Sequence, residues 1–161
     1  MPGECVMTTD NVLSEATRIH HLVPHLTLED VEDAILRKLK SVGREYKVRY
    51  QLGTPEQRRD ASSAFVTTTY DIARVFENDR ELYDHFPYDL YVHEEEGEHD
   101  PEAVEIFESV LIYALDSRSR RRWRDYASKI ARIFDVLSKE GLSSNDVVSR
   151  FEGVGGIEKF I

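Results

Sequence analysis

The sequence predicts an all-α protein, a single-domain irregular bundle of five to seven helices. Apolar residues recur at spacings of three and four along most of the chain, which is the period of an amphipathic helix. Residues that favour helix N-termini precede several of these stripes. The 161 residues, of which 40% are hydrophobic and 10% aromatic, suffice for one core. With no internal repeat or interdomain linker, we expect a flexible tail over 1–13 and one helical domain over 14–161.

The first half of the chain opens with two predicted helices. Residues 14–22 predict a short helix, which Pro24 interrupts. Thr27 then has the properties of an N-cap, with Asp30 in the capping-box position. A long helix follows, and Gly43 is its predicted stop, with a kinked continuation as the alternative. Its stripe consists of Leu28, Val31, Ile35, Leu39 and Val42.

The segment 46–52 fits two patterns. Apolar and polar residues alternate along it, which is typical of a half-buried strand. Tyr46 and Tyr50 alone also continue the preceding helical stripe. Because the surrounding sequence is helical, a helix is the favoured interpretation. The alternative is one short strand pair, of 46–52 with 89–93.

A clear boundary opens the next helix. Gly53 breaks the pattern, Thr54 is suited to an N-cap and Pro55 to the first helical position. About six turns are predicted to follow, although the β-branched run 66–69 lowers their intrinsic helix propensity and requires tertiary packing to hold it. A short helix within 79–86 and a loop over 93–100 come next.

The C-terminal half of the sequence is predicted to contain the central helix of the fold. Asp100 and Pro101 can begin a helix that is apolar around more than half of its circumference, which indicates a central position. The most regular amphipathic helix of the chain runs from near Arg120 to Gly141. Ser143 with Asp146 forms a second capping box, which opens a short helix. The residues predicted to be buried are Leu39, Phe65, Ile72, Phe107, Leu111, Ile130, Phe134 and Leu137.

Charge reverses sharply between two neighbouring segments. From Glu77 to Glu108 there are thirteen carboxylates and one base, a net charge of −12; from Ser117 to Lys139 there are eight bases and two acids, a net charge of +6. Opposite patches attract each other or bind two partners. We therefore expect a non-enzymatic regulatory or adaptor protein acting through protein–protein association, self-association included. Its predicted partner-binding residues are Arg118, Arg120, Arg121, Arg122 and Arg124, with Glu94, Glu95, Glu96 and Glu98.

Two other functions remain open. A DNA-binding regulator could use a helix-turn-helix-like unit over 130–151, with nucleic acid contacting the basic helix. Two observations oppose this function. Leu137 stands where a small residue would let the two helices approach closely, and the second helix carries two acids, Asp146 and Glu152, but one base, Arg150. Alternatively, the acidic face 77–108 could imitate nucleic acid as a decoy. The net charge of −10 opposes nucleic-acid binding by the surface as a whole.

Metal-binding and cofactor motifs are absent from the sequence. His21 and His25 have a helical ligand spacing, but Pro24 between them opposes a continuous helix. His93 and His99 flank glutamates in the predicted loop, and this loop lacks the ligand order of a calcium-binding EF-hand. We predict no metal and no cofactor.

Catalytic motifs are also absent, so we predict that the protein is not an enzyme and has no small-molecule substrate. Cys5 has no neighbouring base to lower the pKa of its thiol. Gly153, Gly155 and Gly156 lack the lysine and the preceding strand of a phosphate loop, and a helix C-cap explains them.

The sequence also bears on cellular location. No apolar run is long enough to span a bilayer, and no signal peptide is visible, so no membrane partner is expected. The single cysteine, Cys5, permits no internal disulfide. These observations favour the reducing cytoplasm.

Overall fold

A computed structural model describes residues 28–86, 103–116 and 121–160. These ranges contain six α-helices and no strand, which confirms the all-α prediction. The elements are α1 (Leu28–Leu52), α2 (Pro55–Asn78), α3 (Arg80–Asp84), α4 (Ala103–Leu115), α5 (Arg121–Lys139), α6 (Ser144–Gly153) and a final 3-10 turn (Ile157–Phe160). Several predictions fall outside the described residues: the tail 1–13, the helix 14–22, the caps at Thr27 and Asp100, the segment 89–93 and the loop 93–100.

The prediction that the first long helix stops at Gly43 is wrong. Helix α1 continues through this position to Leu52. A Cβ atom added to Gly43 would stand 1.7 Å from the carbonyl oxygen of Ala114, so the glycine allows the backbones of α1 and α4 to touch. The same continuation makes 46–52 helical, as favoured, and excludes its strand alternative. Tyr46 is buried there, with its ring stacked 4.6 Å from that of Phe65.

Short-range hydrogen bonds fix where the later helices begin. The Thr54 hydroxyl accepts a 3.2 Å hydrogen bond from the backbone N–H of Gln57. In return, the side-chain oxygen of Gln57 accepts a 3.1 Å hydrogen bond from the backbone N–H of Thr54. Ser143 and Asp146 repeat this reciprocal arrangement before α6. The predicted N-cap at Thr54 and the predicted capping box at Ser143 are therefore confirmed, and Gln57 completes a capping box at Thr54 that was not predicted. Asp79, which precedes α3, accepts the Leu82 amide at 3.1 Å.

The core lies around α4, which contacts α1, α2 and α5, while α2 also contacts α6. Phe134 of α5 is fully buried. The centre of its ring lies 5.3 Å from that of the Tyr70 ring and 5.6 Å from that of the Phe107 ring. Packing also holds the β-branched run, where the hydroxyl of buried Thr69 donates to the Phe65 carbonyl at 2.7 Å. All eight residues predicted to be core are buried.

Helices α5 and α6 end in the same backbone motif. After α5, Leu142 donates its amide to the Leu137 carbonyl at 3.2 Å, and Gly141 (φ +77°) donates to Ser138 at 3.0 Å. After α6, the amide of Gly156 bonds to the carbonyl of Phe151, and that of Gly155 to Glu152. These are Schellman motifs, in which a glycine with positive φ follows the helix. The C-cap interpretation of the C-terminal glycines is confirmed.

Candidate functional site

Helix α5 has one buried and one charged side. Its buried side includes Trp123, Ile130 and Phe134. The opposite side, which we call the basic face of α5, carries five cations and two carboxylates, a net charge of +3. Its residues are Arg121, Arg124, Asp125, Lys129, Arg132, Asp135, Val136 and Lys139.

The cations of the basic face differ in their partners. Arg121 lies 4.0 Å from the carboxylate of Asp125, and Lys139 lies 3.0 Å from that of Asp135. Three exposed cations have no ion-pair partner among the described residues. These three are Arg124, Lys129 and Arg132. Their uncompensated charge is presented by a helix that the core holds in place, so it is available to an external anionic group.

The structure describes three of the predicted partner-binding residues, Arg121, Arg122 and Arg124. Arg121 and Arg124 lie on the basic face. Arg122 is exposed but turns toward α1, with its guanidinium carbon 6.0 Å from the centre of the Tyr50 ring. Arg118, Arg120, Glu94, Glu95, Glu96 and Glu98 lie outside the described residues, so their role remains a prediction.

Three cations of the basic face were missing from the predicted set: Lys129, Arg132 and Lys139. Lys129 and Arg132 follow Asp125 at helical spacings of four and three. This spacing was the signal that could have found them, because it continues the row that starts at Arg121.

Polar groups of the acidic and basic segments interact on α4 and at the end of α2. On α4, Glu108 accepts a 2.7 Å hydrogen bond from Ser128 of α5. At the end of α2, lost hydration raises the pKa of Glu77, and the negative charge of Asp135 on α5 raises it further. The positive charges of Arg74 and Lys139 act in the opposite direction on this pKa. Attraction at this junction is therefore balanced in part by repulsion.

The raised pKa of Glu77 predicts a pH-dependent change in stability. Because the pKa of Glu77 is higher in the folded protein, the folded state binds this proton more tightly than the unfolded state does. The contribution of Glu77 to the free energy of unfolding therefore falls as the pH rises above 4.5, the ordinary pKa of the group. Glu77→Gln should be more stable than the unmodified protein at neutral pH, and the difference should vanish at pH values well below 4.5. Urea unfolding of both proteins across this range measures it. Equal stability at every pH would contradict the assignment.

Helix α6 presents little positive charge to solvent. Its buried residues include Val147 and Phe151, which pack into the core. Its exposed Arg150 lies 3.3 Å from Glu140, while exposed Glu152 carries the opposite charge. A helix with this surface is electrostatically unsuited to a phosphate backbone.

Comparisons with protein-family models, with curated proteins and with solved structures found no match. Among the residues that the structure describes, no three His, Cys, Asp or Glu side chains are grouped to hold a metal ion. No helix within the same ranges has the length and apolar character needed to cross a membrane.

Proposed function

We propose that this protein is a non-enzymatic regulatory or adaptor module that binds acidic protein surface through the basic face of α5, in the first place on a second copy of the same chain. The observation that carries the proposal is a group of three exposed cations that have no ion-pair partner in the described part of the chain, Arg124, Lys129 and Arg132. Their helix is anchored by fully buried side chains such as Ile130 and Phe134. Little backbone order therefore has to be gained on binding.

The composition of the basic face favours a protein partner over DNA. Val136, which is 55% exposed, lies among the cations, and the carboxylates of Asp125 and Asp135 lie beside them. A protein surface can offer carboxylates, bases and apolar groups to match this mixture. A phosphate backbone offers negative charge, which both carboxylates would repel.

Charge complementarity favours a second copy as the partner. The segment from Glu77 to Glu108 has a net charge of −12, and the segment from Ser117 to Lys139 has one of +6. In a twofold dimer the acidic segment of each chain would meet the basic face of the other, so each favourable contact would occur twice. A cytoplasmic location belongs to this proposal, because the single Cys5 allows no internal disulfide.

Removing Arg124, Lys129 and Arg132 is expected to weaken association strongly. The triple variant Arg124→Gln, Lys129→Gln, Arg132→Gln should raise the dissociation constant about tenfold or more, since an exposed ion pair is worth about 0.2–1 kcal/mol and a twofold dimer would lose about six of them. Sedimentation velocity at low and physiological salt measures this effect. A matched control removes three exposed arginines elsewhere, through Arg37→Gln, Arg44→Gln and Arg150→Gln.

The outcomes separate the three candidate functions. Equal weakening in the control would show that net charge, rather than the basic face, drives association. Salt-sensitive binding of the unmodified protein to a specific duplex, lost in the triple variant, would favour the DNA-binding regulator. If the protein is a decoy, neutralising Glu94, Glu95, Glu96 and Glu98 should abolish its binding to a basic protein, and the triple variant should bind that protein as the unmodified chain does.

A further inference from the structure

A second positively charged feature lies away from the basic face of α5. A cleft of about 770 Å³ opens between the first half of α2 and the turn that follows α6. Half-buried Tyr50 and Val148 and exposed Pro55 line it, so part of its wall is apolar. Its polar lining includes the cations Arg58, Arg59 and Lys159. We call this concavity the α2–α6 cleft.

The cations of the α2–α6 cleft are available to a ligand. Arg58, Arg59 and Lys159 are exposed, and none of them has an ion-pair partner within the described ranges. Against these three positive charges the lining contains one carboxylate, that of Glu152, which accepts a 3.2 Å hydrogen bond from Ser63. The lining therefore has a net charge of +2 in a chain whose net charge is −10.

The turn after α6 positions one of these cations. Gly155 has a φ of +97°, and a Cβ atom built on it would lie 3.5 Å from Cγ of Lys159. The stem of the lysine therefore runs alongside the glycine backbone. The Schellman motif thus places Lys159 in the same cleft as the two arginines of α2, about 100 residues earlier in the sequence.

We propose that the α2–α6 cleft binds a small phosphate monoester with an apolar body. Arginine forks bind phosphate oxygens through paired hydrogen bonds, and a lysine adds a point charge. The hydroxyl of Ser62, which also lines the cleft, can donate to the same group. The apolar body would lie on the half-buried side chains of Tyr50 and Val148. The volume and the mixture of an apolar wall with a few polar groups match those of small-molecule sites.

Glu152 provides the sharpest internal test, because its carboxylate repels a phosphate in the same cleft. Glu152→Gln should tighten binding severalfold, while its amide can still accept from Ser63. The double variant Arg58→Gln, Arg59→Gln should weaken binding about tenfold or more, because hydrogen bonds to charged groups are the strong ones. Arg37→Gln, Arg44→Gln removes the same charge from α1 and should leave binding unchanged.

Phenyl phosphate is a suitable probe, compared with inorganic phosphate and benzyl alcohol. Calorimetry gives the affinities, and the amide resonances of Gly155 and Gly156 report on the cleft. We expect saturable shifts with phenyl phosphate, weaker binding of inorganic phosphate and no binding of benzyl alcohol. Absence of binding at millimolar phenyl phosphate would overturn the proposal, as would equal affinities for phenyl and inorganic phosphate. So would unchanged binding in the Arg58, Arg59 and Glu152 variants, each checked for an intact fold by circular dichroism.

Discussion

Replacing Gly43 with alanine is expected to lower the free energy of unfolding by about 2 kcal/mol or more, a cost typical of overpacking. The added methyl group would stand 1.7 Å from the carbonyl oxygen of Ala114 and 3.2 Å from its Cα atom. These are backbone atoms of a central helix, so no side-chain rotation can relieve the contact. Helices α1 and α4 would have to separate, which loosens the packing along both of them.

Gly153 supplies a control, because alanine at this position is expected to raise stability rather than lower it. Gly153 is the last residue of α6, and a Cβ atom there would meet nothing within 4 Å. Gly153→Ala should raise stability by up to about 1 kcal/mol, because alanine has the higher helix propensity. Urea denaturation of both variants measures the two changes. A Gly43→Ala protein as stable as the unmodified one would show that α1 and α4 do not approach this closely.

Truncation of Phe134 to alanine is expected to cost about 3–5 kcal/mol of stability through lost burial and an unfilled cavity. The side chain is 0% exposed. Its ring contacts those of Tyr70 and Phe107, and also that of Phe151 at 6.2 Å, so it joins α2, α4, α5 and α6.

The matched control for this truncation lies two residues further along α5. Val136 is 55% exposed, and Val136→Ala should change stability by no more than about 0.5 kcal/mol. Chemical denaturation followed by circular dichroism measures both. A cost below about 1 kcal/mol for Phe134→Ala would contradict the central position assigned to this ring.

Local signals in the sequence were sufficient where the structure is determined locally. The Thr54 N-cap and the Ser143 capping box depend on groups three residues apart, and both are formed as predicted. The stop predicted at Gly43 failed for a physical reason. The missing side chain of a glycine suits both a helix end and a close helix contact, and only the position of Ala114 distinguishes them.

The segment 46–52 shows how tertiary contacts decide an ambiguous pattern. Its alternating apolar residues would suit a strand, yet α1 buries Tyr46 and leaves Val48 and Leu52 exposed. Tyr46 stacks on Phe65, and Lys47 donates a 2.7 Å hydrogen bond to the Leu115 carbonyl at the end of α4. A cation at this position also complements the negative end of the α4 dipole. None of these partners lies near the segment in sequence.

The two candidate sites differ in how far the sequence predicts them. The basic face of α5 lies on one helix, so helical spacing reveals it. The α2–α6 cleft combines residues 50–66 with residues 148–159, which only the packing of α2 against α6 brings together. The sequence predicted the C-cap at the C-terminal glycines but gave no sign that it would set Lys159 beside Arg58 and Arg59.

Complementation between two variants in sedimentation velocity tests most directly the proposal that the basic face binds a second copy. One variant carries Arg124→Gln, Lys129→Gln and Arg132→Gln; the other carries glutamine at Glu94, Glu95, Glu96 and Glu98. We expect salt-sensitive association of the unmodified protein, monomers for each variant alone, and a complex in their equimolar mixture. The mixture restores one of the two contacts of a twofold dimer, so its complex should be weaker than that of the unmodified protein. An unmodified protein that remains monomeric at low salt and high concentration, or a mixture that remains monomeric, would contradict the proposal.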